Sequence, residues 1–224
     1  MRLAHETSPR MTVPAETTLV ARLLDAGVGA IRSNADMLSD LDRAIGDGDH
    51  GVNMLRGFSA IADGREALAA LPLASALEAM GTLLVMNVGG ASGPLYGSFL
   101  LAMGRAAAAA GGTAPLVKLL EEGVAAVKKR GRSERGEKTM LDVLIPVQLA
   151  WEQAATDGLE VRDAIERVKR AATEGLESTR PLQATKGRAS YLRERSIGHL
   201  DPGASSSCLL VHAVCDTFLE STKP

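Results

Sequence analysis

Runs of alternating β-branched residues are almost missing from this chain, and that absence limits its fold more than any motif it carries. A strand needs such alternation because successive side chains point to opposite faces of a sheet. Aromatic residues, at 3%, offer no substitute signal. Apolar residues recur instead at helical spacing. Val161, Ala164, Ile165, Val168, Ala171, Ala172 and Leu176 form one stripe, and Leu116, Leu119, Leu120, Val124 and Val127 form another. The spacing predicts helices near residues 17–32, 34–44, 51–68, 73–88, 94–110, 138–157, 160–178 and 204–220, besides the one over the second stripe. Ser33-Asn34, Gly111-Gly112 ahead of Pro115, and Asp157-Gly158 read as joints. Helices joined so briefly lie antiparallel, so the expected fold is all-α, a bundle or barrel of antiparallel helices. The 224 residues suit a single domain over 17–224, preceded by a disordered leader over 1–16 within which Met11 is an alternative start.

Charge excludes several classes of partner. Charged residues make up 23% and the net charge is -2, which leaves neither a polybasic footprint for duplex nucleic acid nor an acidic tail. No apolar run is long enough to span a bilayer and no export signal opens the chain, so a soluble, cytoplasmic protein is expected. Cys208 and Cys215 are seven residues apart in a predicted helix, about 10 Å at the standard rise, and cannot bridge each other. They read as small core residues of a reduced protein.

Three segments interrupt the helical pattern: residues 45–51, 87–97 and 178–203. The first belongs to a stretch with three carboxylates, Asp42, Asp47 and Asp49, among glycines that permit a sharp backbone path. Hard oxygen ligands suit Mg²⁺, which takes few carboxylates and leaves positions for water and phosphate. A calcium loop is ruled out by counting, since neither register places a glutamate at the twelfth position: Phe58 or Asn53 stands there. A plain turn in which Asp49 caps the next helix explains the spacing equally well. His50 reads either as a satisfied structural donor or as a phosphate contact.

The second segment, Gly89-Gly90-Ala91-Ser92-Gly93-Pro94-Leu95-Tyr96-Gly97, joins flexible glycines to a proline suited to a first helical turn. Its backbone N–H groups and the Ser92 hydroxyl could hold an anion; tight helix packing is the alternative. It lacks the Gly-Lys-Ser/Thr ending of a Walker loop. Near residue 139, Thr139 is a cap or a ligand contact, and Met140 a core residue or the lining of a flat ring. The third segment supplies Lys186, Arg188, Ser190 and the run Asp201-Pro202-Gly203, donors suited to phosphate or an ordinary solvated loop. A carboxylate cluster, a glycine turn and a basic loop on one helical scaffold are the parts that phosphoryl transfer uses.

In family order from about residue 20 onward, Ala44-Ile45-Gly46-Asp47-Gly48-Asp49-His50-Gly51, Gly90-Ala91-Ser92-Gly93-Pro94-Leu95-Tyr96-Gly97, Lys138-Thr139-Met140-Leu141-Asp142, Lys186-Gly187-Arg188-Ala189-Ser190-Tyr191 and Asp201-Pro202-Gly203-Ala204 resemble the L subunit of dihydroxyacetone kinases, the nucleotide-binding domain that also occurs fused within single-chain kinases. The resemblance implies a barrel of eight antiparallel helices with nucleotide, ADP or ATP, at its mouth. It implies that Asp42, Asp47 and Asp49 hold two Mg²⁺ ions. His50, Gly51, Val52 and Asn53, with Ala91 and Ser92, would line the phosphate and ribose side. Gly131, Thr139, Met140, Asp201, Pro202 and Gly203 would complete the pocket, with Arg188 reaching phosphate. The acceptor, dihydroxyacetone or a related small ketose, would sit on a separate K subunit. Recharging by a phosphotransferase-system phosphocarrier, the M subunit, is the expected cycle; direct ATP use by a triose or tetrose kinase, or a non-catalytic regulatory role, are the alternatives. Self-association as a homodimer belongs to the same expectations. Three residues depart from the family pattern: Glu137 where aspartate is common, Arg193 where glycine is common, and Leu200 where a polar residue is common.

Overall fold

The structure, a computed structural model, describes residues 16–111 and 115–221. The expected leader lies outside these residues apart from Glu16, which opens the first helix. The described residues form α1 (Glu16–Ile45), α2 (His50–Asp63), a short α3 (Arg65–Ala69), α4 (Leu73–Asn87), α5 (Ser92–Ala109), α6 (Leu116–Gly131), α7 (Leu141–Thr156), α8 (Val161–Ser178) and α9 (Pro202–Ser221). A 3₁₀ segment, Arg188–Ser196, lies between α8 and α9, and no strand occurs among the described residues.

Some expected boundaries shift, each for a local reason. Ser33-Asn34 is not a joint: α1 runs through it for 30 residues. The Asn34 amide donates to the Ala30 carbonyl one turn back at 2.8 Å, so the side chain is satisfied inside the helix. The helix expected over 51–68 divides at Gly64, whose N–H closes α2 on the Ala60 carbonyl. The helix expected from 138 begins at Leu141, because Lys138 holds φ 60 and turns the chain before it.

Each long helix packs on the next, α1 on α2, α2 on α4, then α4 through α9 in order, and α9 returns to α1. The pairings form a closed cycle of eight long helices among the described residues. Arg22 fastens the closure, donating to the Ser221 hydroxyl at 2.7 Å and the Glu220 carboxylate at 3.0 Å. Where α4 meets α5 the backbones touch: a Cβ on Gly81 would stand 2.9 Å from the Gly97 carbonyl, and one on Gly97 2.7 Å from that of Gly81. Ile31, Leu38, Met54, Leu84 and Leu141 anchor one apolar core, and Val143, Ile165, Val168 and Cys215 join α7, α8 and α9 in another. Fully burying such an aliphatic side chain contributes about 1.5–3 kcal/mol. Cys208 and Cys215 are both buried free thiols, as their spacing requires.

No helix among the described residues is long and apolar enough to cross a membrane. Because the chain runs back and forth, the joints that follow α1, α4, α6 and α8 gather at one end of the ring. All three segments that interrupt the helical pattern are found there.

Candidate functional site

These four joints enclose a cavity of about 780 Å³, within the roughly 300–1,000 Å³ typical of small-molecule sites. The first turns of α2, α5, α7 and α9 open into it through His50, Ser92, Met140 and Pro202. First-turn N–H groups lack partners within their own helix, so such an arrangement favours anionic ligands.

On the α1–α2 joint, Asp42, Asp47 and Asp49 each offer a carboxylate oxygen, all within 4.8 Å of one another. The capping of α2 falls to a different aspartate from the one that the spacing suggested. Asp49 occupies the N-cap position of α2 but its side chain makes no capping bond. Asp42 caps the helix instead, one of its oxygens accepting from the N–H groups of Asp49 at 2.8 Å and His50 at 3.1 Å. The Asp47 and Asp49 carboxylates are therefore exposed and free of the capping duty that the spacing suggested. Gly51 makes the approach of α2 to α1 possible, since a Cβ there would stand 1.8 Å from the Ala35 carbonyl.

His50 lies at the centre of a buried hydroxyl network. Its Nδ1 is 3.1 Å from the Ser92 hydroxyl and its Nε2 2.9 Å from that of Ser206. The Tyr96 hydroxyl continues the network to Ser206 at 2.7 Å and Ser207 at 2.8 Å. Burial holds the imidazole below the ordinary histidine range, against the pull of Asp42 and Asp49, and pushes the Tyr96 phenol up to about 12. With both ring nitrogens already partnered, His50 fixes the Ser92 hydroxyl at the head of α5. No side chain caps that helix, and Gly90 at φ 65 makes the turn into it.

The remaining wall comes from the joints after α6 and α8. Asp142 is buried and accepts from the N–H groups of Gly136 at 2.5 Å and Thr139 at 2.8 Å, shaping the turn that presents Thr139 and Met140. Asp201 is buried at the head of α9, accepts from the Ala204 N–H at 2.7 Å, and is raised to about 7 by burial. Above them runs the 180–199 strap. Its Arg188 reaches across to Asp47 at 3.1 Å, and Glu137, the departure from aspartate noted above, accepts from the Thr185 hydroxyl at 3.2 Å and pairs with Lys186 at 3.5 Å.

Of the residues predicted to hold nucleotide, His50, Ala91, Ser92, Gly131, Thr139, Met140, Arg188, Asp201, Pro202 and Gly203 line the cavity, as do the three aspartates. Gly51, Val52 and Asn53 do not line it. Gly51 is sealed against α1, Val52 is exposed on α2, and Asn53 is buried beneath the glycine turn, where a Cβ on Gly89 would meet its Oδ1 at 2.6 Å. Lys186 and Ser190 of the basic loop line the cavity, and so do Tyr96, Lys138 and Tyr191, although their motifs singled out other residues. Arg130 and Ser133 line it too, and nothing in the local sequence marks them.

Closed helical ring and cavity together define an all-α domain in which a carboxylate cluster faces the heads of several helices. The family model described as the DAK2 domain matches residues 44–216, so the chain belongs to the DAK2-domain family. It is similar to the PEP-dependent dihydroxyacetone kinase 1, ADP-binding subunit DhaL, of Listeria innocua, with 47% identity over 188 residues that cover 84% of this chain and 89% of that protein. The PTS-dependent dihydroxyacetone kinase, ADP-binding subunit DhaL, of Lactococcus lactis is 42% identical over 190 residues, 85% of this chain and 90% of that protein. Among solved structures, the dihydroxyacetone kinase from C. freundii in complex with AMP-PNP and Mg²⁺ superposes with a TM-score of 0.72 at 25% identity, covering 96% of this chain but 37% of that one.

Proposed function

We propose that the chain is the ADP-binding subunit of a phosphotransferase-system-dependent dihydroxyacetone kinase, working in the cytoplasm beside a K subunit that holds the ketose. The observation that carries this is the convergence of Asp42, Asp47 and Asp49 on a cavity headed by uncapped helix N–H groups. Three carboxylates at such short range repel one another, and hard oxygen donors fit Mg²⁺. Magnesium bound there, two ions in this reading, supplies neutralisation of phosphate charge.

The chain's own residues do the rest. The Ser92 hydroxyl, held by His50, and the first N–H groups of α5 grip phosphate oxygens. Arg188 exchanges its exposed ion pair with Asp47 for a phosphate oxygen. Leu95, Val127 and Met140 form the apolar wall for the base. The acceptor hydroxyl comes from a small ketose on the partner, so positioning and electrostatics on this chain are its contribution to transfer.

Similarity spanning 89% of a separate subunit, against 37% of a fused kinase, supports the cycle in which bound ADP is recharged by a phosphocarrier. The test is to purify the chain, look for retained ADP, and assay dihydroxyacetone phosphorylation with a K subunit, supplying either ATP or a phosphohistidine donor protein. ADP should be retained and turnover should require the phosphohistidine donor. Equal turnover with ATP alone would overturn the recharging cycle, and full activity of Asp47→Ala would overturn the metal assignment.

A further inference from the structure

Lys138 is the largest side chain to be fully buried among the described residues, at 1% exposure. A lysine is rarely buried unless its ammonium is matched by acceptors. Here the Nζ donates to the carbonyl of Thr179 at 2.6 Å and to that of His199 at 2.5 Å. Thr179 caps the C-terminus of α8, and His199 stands just ahead of α9. One ammonium therefore grips both ends of the 180–199 strap. The same two ends are drawn together by the Gly198 N–H on the Arg180 carbonyl at 2.8 Å and the Asp201 N–H on the Thr179 hydroxyl at 3.1 Å.

Between these ends the buried Ala184 and Ser196 are hydrogen-bonded to each other at 2.9 Å and residues 188–196 rest on α1, but side-chain ties are few. Among the described residues the polar ties of this middle stretch to the rest of the chain are the contacts of Thr185 and Lys186 with Glu137 and the exposed pair of Arg188 with Asp47. That middle nevertheless supplies Thr185 through Tyr191 to the cavity wall. With so few side-chain ties to the cavity wall, the exposed stretch around Arg188 depends on how the strap's ends are set. Lys138 is well placed to set them, because its neighbours Thr139 and Met140 line the same cavity and its own φ of 60 turns the side chain inward. A non-glycine residue held in this region is strained, so the rest of the joint has to maintain it. Burial draws the ammonium below the ordinary lysine range while Asp201 and Asp142 support its charge and Arg180 opposes it.

We propose that Lys138 is a positioning residue that clamps both ends of the 180–199 strap to the α6–α7 joint and thereby holds Arg188 over bound nucleotide. The role toward nucleotide rests on the function proposed above; the clamp does not.

Lys138→Met keeps the bulk of the side chain and removes its donors. Trypsin, without nucleotide and well below the melting temperature, should cut after Arg193 and Arg195 at least about tenfold faster than in the wild type, the factor expected from losing a charge-assisted hydrogen bond. Release of ADP should accelerate by a similar factor, while Mn²⁺ binding without nucleotide, read by paramagnetic resonance, stays at the wild-type level. A lower melting temperature with unchanged strap cleavage would make Lys138 an ordinary core residue and overturn the proposal. Faster cleavage in a protein whose wild type binds no ADP would sustain the clamp and sink the nucleotide reading instead. Should Lys138→Met not fold, amine labelling of the wild type decides. Lys138 should react at least about tenfold more slowly than the partly exposed Lys186, in step with hydrogen exchange at the Gly198 N–H. Equal labelling rates would overturn the clamp.

Discussion

On the α1–α2 side of the cavity, Asp47 and Asp49 are exposed, and among the described residues no backbone N–H donates to either carboxylate. On the α6–α9 side, Asp142 and Asp201 are buried, and backbone N–H groups hold both. The residue type is the same and the physical role is opposite. A buried carboxylate matched by N–H donors fixes a turn, whereas exposed carboxylates crowded within 4.8 Å repel one another and draw cations, as Asp47 draws Arg188. Asp42 stands between the two patterns, giving one oxygen to the head of α2 while sharing in the cluster.

That contrast can be broken most easily at Asp49. Asp49→Ala should weaken Mn²⁺-dependent ADP binding by at least about a hundredfold, since even residues behind a metal ligand matter by roughly 10–100-fold. Folding free energy in urea should stay within about 0.5 kcal/mol of the wild type, as for most exposed substitutions. Asp142→Ala should do the reverse in stability, losing about 2–4 kcal/mol because the Gly136 and Thr139 N–H groups are left unmatched. If the two variants are equally stable, the division of roles fails.

A third variant sharpens the contrast through pH. Asp201 is raised by burial to about 7 from an ordinary 3.8, so the folded state holds the proton more tightly than the unfolded chain. The stabilisation from that proton is complete below the unfolded value and is lost as pH climbs through about 7. Asn at this position keeps an acceptor for the Ala204 N–H and cannot ionise. Asp201→Asn should therefore gain on the order of 1–2 kcal/mol over the wild type between pH 4 and pH 8, read by urea denaturation at each pH. A constant gap would show that Asp201 is ionised throughout.

The smallest effect is expected in the strap. Arg193 sits at φ 53, ψ -125, a conformation suited to glycine. Arg193→Gly should stabilise the chain by about 0.5 kcal/mol, the relief of strain being partly offset by the freer unfolded chain. Metal binding on the aspartate side should not change, and a loss of stability would show that the Arg193 side chain holds the strap.

Helical periodicity made most of the fold legible in the sequence, because the apolar stripes of α6 and α8 face the core, apart from the exposed Val161 at the start of α8. Asn34 misled for a specific reason: an amide that caps a helix can also bond one turn back inside it, and the two uses look alike in sequence. The aspartate cluster was legible as chemistry but not as a choice, since spacing cannot tell which aspartate does the capping. Two contacts had no local signal at all. His50 meets Ser206 across 156 residues and Lys138 meets His199 across 61, and neither pair leaves a period or a motif behind.

The 30 residues of α1 run from the cavity at Ile45 to Glu16, roughly 44 Å away at the standard helical rise. α9 starts at the cavity with Pro202 and travels the other way to Ser221, where Arg22 ties it to α1. The first residue of α1 and the last of α9 thus stand at the end of the ring remote from the cavity. Such a layout makes the ring a portable cartridge: it can be joined to another protein through either end with the cavity still facing outward.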